Sequence, residues 1–188
     1  MTKIQTDIPR QEIHIEGITF TAADARLASD GGPSRLQHLF SEDKSGFKSS
    51  LADFLAEWFN ETDTVKVHTS GSTGTPKELW VEKRRMMESA RLTVNFLDLQ
   101  PKDTALLCMP LQYIAGKMVV VRSLVASLNL LPVAPCSRPL QYLETAPDFA
   151  AMVPLQVYTS IQNPRDKELL CHCLLYTSPS PRDISGSR

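Results

Sequence analysis

The sequence lacks the long apolar runs that mark membrane-spanning and secreted proteins. No segment approaches the ~20 apolar residues that a helix needs to cross a bilayer. Residues 1–24 mix charged and apolar side chains and contain no apolar core of a signal peptide. We therefore expect a cytoplasmic protein without a membrane span.

The sequence also lacks an excess of charge of one sign. Its 20 Lys and Arg residues are balanced by 21 Asp and Glu residues, and the basic residues are scattered along the chain. A nucleic-acid-binding surface needs a clustered basic face. The composition excludes that class, so any contact with phosphate groups must be local. The 188 residues, 42% of them apolar, are enough for one domain with a buried core.

The sequence of the C-terminal segment is not typical of a folded domain. Residues 173–183 (Cys-Leu-Leu-Tyr-Thr-Ser-Pro-Ser-Pro-Arg-Asp) resemble the translated sequence of a transposase-type sequencing-library adapter. The Ser/Pro composition of residues 177–188 also fits an ordinary disordered tail. We therefore expect residues 173–188 to be a disordered, artefactual tail and exclude them from fold prediction.

The four cysteines do not predict a disulfide framework or a metal site. Cys171-His172-Cys173 resembles a ligand cluster, but Cys173 belongs to the suspected tail. Cys108 lies in an apolar run and Cys136 in a proline-rich loop, where each is typical of a small apolar side chain. We predict no metal ligands and no redox role.

What the sequence does contain is a loop suited to hold polyphosphate. Two glycines allow the backbone to turn its N–H groups toward an anion, while five hydroxyls and one ammonium add further donors. The pattern is not a Walker loop, because no Lys-Ser or Lys-Thr pair closes it and Pro76 precedes the lysine. By itself, a Gly/Ser/Thr segment between strands is often only a turn. The predicted phosphate-binding residues are Thr69, Ser70, Gly71, Ser72, Thr73, Gly74, Thr75 and Lys77.

Hydrophobic periodicity places this loop in an α/β domain. Strands are predicted at 64–69 and 78–81, so the loop is a hairpin connection. The remaining predictions are a strand within 12–20, a helix at 49–60 capped by Ser49 or Ser50, a helix at 83–98, a strand at 104–109, a helix at 114–128, strands at 129–133 and 149–153, and a helix from about residue 155. Strand, helix and strand in succession predict a right-handed crossover and a parallel sheet, so we expect an α/β fold with a mixed or parallel sheet and flanking helices.

These motifs together resemble the adenylate-forming superfamily of acyl-CoA synthetases, luciferases and peptide-synthetase adenylation domains. Thr69–Lys77 is similar to its phosphate-loop signature. Residues 109–116 (Met-Pro-Leu-Gln-Tyr-Ile-Ala-Gly) stand where the family has a Pro-Leu followed by an aromatic residue and a histidine. Tyr113 occupies the place of that histidine, which is a departure from the pattern. Within the superfamily, the loop, the helix from Ile114 to Leu124 and the strand from Phe149 to Pro154 most resemble o-succinylbenzoate:CoA ligases of menaquinone biosynthesis.

The resemblance implies a domain organisation. Residues 1–60 are a short N-terminal region, and residues 61–172 are a partial AMP-binding domain, part of the large N-terminal domain of such an enzyme. The family's adenine-binding segment, magnesium-binding segment, hinge and catalytic lysine would all lie beyond residue 172. We therefore expect no catalytic residue within this sequence and an inactive fragment.

The resemblance also implies a reaction. A carboxylate attacks ATP to form an acyl-adenylate and pyrophosphate, and coenzyme A then displaces AMP, with Mg²⁺ held by the phosphates. The acid would contact Tyr113, Gly116 and Arg122. From the residues alone, Tyr113 and Gly116 equally fit the start and packing of a helix. Arg122, a charge in an apolar helix, snorkels, pairs with a carboxylate side chain or receives an anionic substrate group. Lys117 is a weaker candidate.

Three functional hypotheses remain open. The first is an acid:CoA ligase, with o-succinylbenzoate as the favoured acid. The second is another adenylate-forming ligase that uses a fatty or aryl acid or a carrier-protein acceptor. The third is a non-catalytic module in which the loop binds an anion or a partner.

Overall fold

The computed structural model describes residues 4–26, 32–68 and 78–176. The predicted phosphate-binding residues, from Thr69 to Lys77, lie outside the described residues. The helices of the described parts are α1 (Ala22–Ala25), α2 (Arg35–Leu39), α3 (Phe47–Trp58), α4 (Lys83–Phe96), α5 (Ile114–Ala126), α6 (Pro154–Ile161) and α7 (Pro164–Cys171), with short 3-10 helices at Ile8–Arg10 and Pro139–Tyr142. The strands are β1 (Glu12–Ile15), β2 (Ile18–Thr21), β3 (Thr64–His68), β4 (Glu78–Glu82), β5 (Thr104–Leu107), β6 (Asn129–Pro132), β7 (Phe149–Ala151) and β8 (Leu174–Tyr176).

The main sheet has six strands in the order β2-β1-β6-β5-β7-β8. All neighbours are parallel except β1 and β2, which form an antiparallel hairpin. Together with the flanking helices, this arrangement confirms the predicted α/β class with a mostly parallel sheet. The connection from β5 through α5 to β6 places two parallel strands side by side, as the strand-helix-strand pattern predicts.

Both faces of the sheet are buried, which explains why its central strands are apolar runs. Successive side chains on a strand point to opposite faces. Ala105 and Leu107 of β5 and Phe149 of β7 therefore join the large core cluster, whereas Leu106 and Ala150 join a second, smaller cluster. The large cluster also contains most of α5, a helix buried nearly all round that packs on α4 and on β1, β5 and β6.

The two strands around the phosphate-loop sequence form a separate antiparallel hairpin. β3 and β4 pair in register from Thr64 opposite Glu82 to His68 opposite Glu78. This confirms the predicted hairpin connection. It also means that the residues on either side of the loop, His68 and Glu78, are direct cross-strand neighbours.

The N-terminal strand prediction is wrong in its number of strands. The alternating residues from Glu12 to Phe20 form β1 and β2 around a two-residue turn, Glu16-Gly17, in which both residues have positive φ angles of 50° and 82°. That conformation is a tight hairpin turn, usually signalled by Asn-Gly or Asp-Gly. The Gly17 N–H also donates to Asn129 Oδ1 at 2.8 Å, a contact from a distant segment that no local pattern shows.

The predicted N-cap of α3 is also wrong. The helix begins at Phe47, after Gly46, and Ser49 and Ser50 donate their hydroxyls to the carbonyls of Phe40 and Gly46 instead of capping. Asp43 provides a hydrogen-bond acceptor for the first turn of the helix, because its carboxylate accepts from the Lys48 N–H at 2.7 Å. This hydrogen bond holds the pKa of Asp43 below its usual value. Ser49 lies inside the helix because Phe47 is buried and extends the apolar face by one turn.

The last part of the chain differs from the predicted disordered tail at residues 174–176. These residues form β8, which pairs in parallel with β7 at the edge of the main sheet. Leu-Leu-Tyr has strong strand propensity, and the edge of β7 offers unpaired backbone groups. Residues 177–188 lie outside the described residues. Within the described parts of the chain, no helix combines the length and apolar character needed to cross a membrane.

Candidate functional site

Side chains of β3 and β4 are in contact where these strands flank the sequence 69–77, a place that we call the loop mouth. Lys66 Nζ lies 2.5 Å from Glu78 Oε1, and His68 Nε2 lies 3.4 Å from the same oxygen. The hydrogen bond from Lys66, more than any other contact, lowers the pKa of Glu78. Glu78 therefore carries a negative charge at neutral pH, in contact with two donors from the opposite strand.

The segment that follows β5 lies directly beside this mouth. The His68 N–H donates to the Gln112 carbonyl at 3.0 Å, and His68 forms an isolated parallel bridge with Tyr113. Among the described residues, His68, Glu78, Gln112 and Tyr113 line a cavity of about 340 Å³, which we call the loop-mouth cavity. The structure thus places Tyr113, at the start of α5, next to His68 and Glu78, the residues that flank the sequence 69–77.

A second cavity, which we call the Arg122 cavity, lies at the carboxyl ends of β5 and β7. Ligands of parallel α/β sheets bind at this edge. The cavity has a volume of about 290 Å³, and its lining is mainly apolar. Arg122 is buried, with 6% of its surface exposed, and its guanidinium carbon lies 6.0 Å from the centre of the Phe149 ring. The described lining residues are Ser89, Met109, Ile114, Ala115, Met118, Arg122, Ala151, Met152 and Val153.

Gly116, the third predicted contact of the acid, has a different position. It is buried and is not among the residues that line these two cavities. A Cβ atom built on it would lie 2.5 Å from the Pro110 carbonyl oxygen and 2.8 Å from that of Met109. The missing side chain lets α5 approach the backbone between β5 and the helix, so Gly116 sets the position of the helix that carries Tyr113 and Arg122.

Sequence reasoning gave little weight to Lys117 and missed Glu57. Lys117 is buried, and its ammonium lies 2.8 Å from Glu57 Oε2 and 4.8 Å from the centre of the Phe54 ring. Lys117 shares with Arg122 the signal of a charge within an apolar helix. Glu57 lies on α3, sixty positions earlier in the sequence, and no spacing rule connects the two.

The buried thiol of Cys108 gives the first testable prediction. Cys108 is fully buried, and burial raises its pKa to about 12 from 9.0. Above pH 9 the unfolded chain loses this proton and the folded chain keeps it, so stability is lost as the pH rises. We expect the free energy of unfolding to fall by about 1 kcal/mol between pH 9 and pH 10 from this thiol alone.

Urea titrations at pH 8, 9 and 10 measure this effect, and Cys108→Ala is the control. The variant is less stable at pH 8 because it leaves a small cavity, but its stability should fall less steeply above pH 9. Equal pH dependence in the variant and the parent would contradict the prediction.

No group of three His, Cys, Asp or Glu side chains in residues 4–26, 32–68 and 78–176 is placed to hold a metal ion.

Comparison with known proteins identifies similar solved structures. No protein-family model matches the chain, and no curated protein matches it. An acyl-CoA synthetase (AMP-forming)/AMP-acid ligase II-like protein from Dyadobacter fermentans is 31% identical, with a TM-score of 0.65 over 77% of this chain and 43% of its own. The N-terminal domain of FACL13 from Mycobacterium tuberculosis is 22% identical, with a TM-score of 0.52 over 70% of this chain and 38% of its own. An ATP-bound RpMatB-BxBclM chimera is 22% identical, with a TM-score of 0.52 over 62% of this chain and 24% of its own.

These comparisons show the fold. The described α/β structure, with its mostly parallel sheet and flanking helices, matches part of the N-terminal domain of adenylate-forming enzymes. The chain spans less than half the length of each of these three chains.

Proposed function

We propose that this chain is part of an AMP-forming acid:CoA ligase, an enzyme that activates a carboxylic acid with ATP and transfers it to coenzyme A. The observation that carries the proposal is the fold shared with the Dyadobacter fermentans protein at 31% identity. The Gly/Ser/Thr-rich sequence 69–77 supports it, because this sequence connects two paired strands whose ends lie beside the start of α5.

In the proposed first step, a carboxylate oxygen of the acid attacks the α-phosphorus of ATP. The bond to the bridging oxygen breaks, and pyrophosphate leaves with the developing negative charge. Backbone N–H groups and hydroxyls from Thr69 to Thr75, with the ammonium of Lys77, would bind the β- and γ-phosphates and stabilise that charge. Mg²⁺ would arrive bound to the phosphate oxygens.

In the proposed second step, the thiol of coenzyme A attacks the acyl carbon of the adenylate. A thioester forms, and AMP leaves with the former carboxylate oxygen. The catalytic side chains of this step would belong to segments of the whole enzyme that lie outside the present sequence. By itself the chain would bind ATP without completing the reaction.

For the acid, we propose an aromatic dicarboxylate such as o-succinylbenzoate. The Arg122 cavity combines an apolar lining with one buried guanidinium, which suits an apolar acid that carries a second carboxylate. Tyr113, beside the loop mouth, is proposed to contact the reacting end of the acid where it meets ATP.

Two measurements test the proposal. We expect this chain to bind ATP–Mg²⁺ in isothermal titration, and Lys77→Ala to weaken binding about tenfold or more through loss of a charge-assisted contact. Lys44→Ala removes an exposed lysine that is remote in the sequence and should leave binding unchanged. In the protein translated past residue 172, pyrophosphate release should depend on o-succinylbenzoate and be weakened selectively by Arg122→Ala.

The outcomes separate the three hypotheses. Pyrophosphate release with another acid, or product formation with a carrier-protein acceptor, would support an adenylate-forming reaction and contradict the proposed substrate. No ATP binding by this chain, and no acid-dependent release by the longer protein, would favour a non-catalytic module.

A further inference from the structure

The strand β3, which leads into the sequence 69–77, is paired along its length on only one side. It forms a two-stranded sheet with β4, and within the described residues its other edge is bridged at one position, His68 opposite Tyr113. Its other edge presents backbone groups of alternate residues, which in most sheets would bond to a third strand. Here these groups are Lys66 N–H, Lys66 C=O and His68 N–H.

An ion pair takes the place of that third strand. Glu57 Oε1 accepts from the Lys66 N–H at 2.6 Å, and Lys117 Nζ donates to the Lys66 carbonyl at 2.5 Å. The carboxylate and the ammonium also contact each other at 2.8 Å. Two residues further along the same edge, the His68 N–H donates to the Gln112 carbonyl.

The pair is more buried than a surface salt bridge. The Lys117 side chain is 8% exposed and that of Glu57 is 25% exposed, and the ammonium lies over the Phe54 ring. A buried charge that loses its partner is costly, so both groups are held where they contact Lys66. Because Lys117 lies on α5, the pair connects β3 to the helix that carries Tyr113 and lines the Arg122 cavity.

We propose that Glu57 and Lys117 are positioning residues for the phosphate loop, which starts three residues after Lys66. They hold the outer edge of β3 in register with α3 and α5, and so fix the strand that leads into the sequence 69–77. This inference rests on the proposed function for the role of the loop. A group that preorganises a site in this way affects ligand affinity without touching the ligand.

The first variant to test is Lys117→Met, which keeps the apolar stem and removes the ammonium. Hydrogen exchange at the Lys66 and His68 amides should become at least about tenfold faster, because the edge of β3 opens more often. ATP–Mg²⁺ binding, measured by titration where the variant is folded, should weaken about tenfold. Glu57→Gln keeps an acceptor for the Lys66 N–H and should lose less affinity than Glu57→Met.

A charge swap separates positioning from simple ion pairing. Glu57→Lys with Lys117→Glu keeps opposite charges but puts a donor where the Lys66 N–H needs an acceptor. We expect the swap to leave ATP affinity as low as in Lys117→Met. Full recovery of affinity by the swap would overturn the inference.

Arg138→Met is the control for a purely structural effect. It breaks the ion pair between Arg138 and buried Asp166, which joins the loop before β7 to α7. We expect lower stability but unchanged ATP affinity and unchanged exchange at Lys66. Equal losses of ATP affinity in Arg138→Met and Lys117→Met would show a general stability effect and overturn the inference.

Failure of the proposed function is distinguishable from failure of this inference. If the unmutated protein binds no ATP, the proposed ATP-binding role of this chain falls, and the exchange rates still decide whether the pair holds β3. A tenfold rise at Lys66 and His68 in Lys117→Met supports the inference, and unchanged rates overturn it.

Discussion

Replacing Gly116 with alanine is expected to lower the free energy of unfolding by about 3 kcal/mol, the upper range for overpacking a core. The added Cβ would lie 2.5 Å from the Pro110 carbonyl oxygen and 2.8 Å from that of Met109. Both atoms belong to the backbone, so neither can rotate away. Helix α5 must shift, although it packs on α4 and on three strands of the main sheet. Urea denaturation followed by circular dichroism measures the loss.

Gly46→Ala is the matched control for the Gly116 variant. Gly46 has a φ angle of +67°, and a Cβ there would meet nothing within 4 Å. Its substitution costs only the left-handed backbone strain of about 1–2 kcal/mol. If Gly116→Ala proved no less stable than Gly46→Ala, the close approach of α5 to Pro110 would be refuted. The predicted contact of Gly116 with the acid is tested separately, by acid-dependent pyrophosphate release in the longer protein.

The central part of the fold was predictable from sequence because its signals are local. β5 is an apolar run in which both faces are covered, α5 follows it with the length of a helix, and β6 repeats the apolar run. The hairpin around the phosphate-loop sequence was predictable for the same reason. In each case the pattern lies within one continuous segment, residues 104–132 for the strand, helix and strand and residues 64–82 for the hairpin.

The errors come from contacts between distant segments. Asp43 caps α3 from outside the helix, and the turn at Glu16-Gly17 has a partner in Asn129. Serines near an apolar face signal a cap, but they do not show that an upstream aspartate already satisfies the first turn. The strand β8 depends on an open edge of β7, which becomes visible only when the sheet is assembled.

In the candidate site, too, some residues were identifiable from sequence and others depend on contacts between distant segments. Arg122 was identifiable because a charge in an apolar helix is costly and needs a reason. The structure places it in an apolar cavity, and its contact with an acid stays a prediction. Lys117 carried the same signal, but its interpretation depends on Glu57 and on the backbone of Lys66. Only the structure shows that these three groups meet at the edge of β3.

Helix α3, which carries Glu57, is anchored by the residue next to it. Trp58 is fully buried, its ring lies 6.1 Å from that of Phe54, and its indole N–H donates to Gln11 Oε1 at 2.8 Å. Gln11 is itself buried and donates to the Gln5 carbonyl at 2.8 Å. The indole of Trp58 therefore fills space in the core and also donates a hydrogen bond to the buried amide of Gln11.

Trp58→Ala is expected to lower the free energy of unfolding by about 3–5 kcal/mol, the usual cost of removing a large aromatic side chain from a core. Trp58→Phe keeps most of the volume but leaves Gln11 Oε1 without its donor, at an expected cost of about 1–3 kcal/mol. Adding Gln11→Leu to Trp58→Phe should recover part of that loss, because the unpaired amide is then removed. Urea titrations of the four proteins measure these differences.

The chain's second tryptophan provides the control. Trp80 lies on β4 and is 66% exposed, so Trp80→Ala should change stability by no more than about 0.5 kcal/mol. Because the chain has two tryptophans, each variant leaves one, and its fluorescence reports unfolding at a known position. A Trp58→Ala protein as stable as Trp80→Ala would contradict the buried position of Trp58. It would also remove the basis for treating α3 as a fixed support of β3.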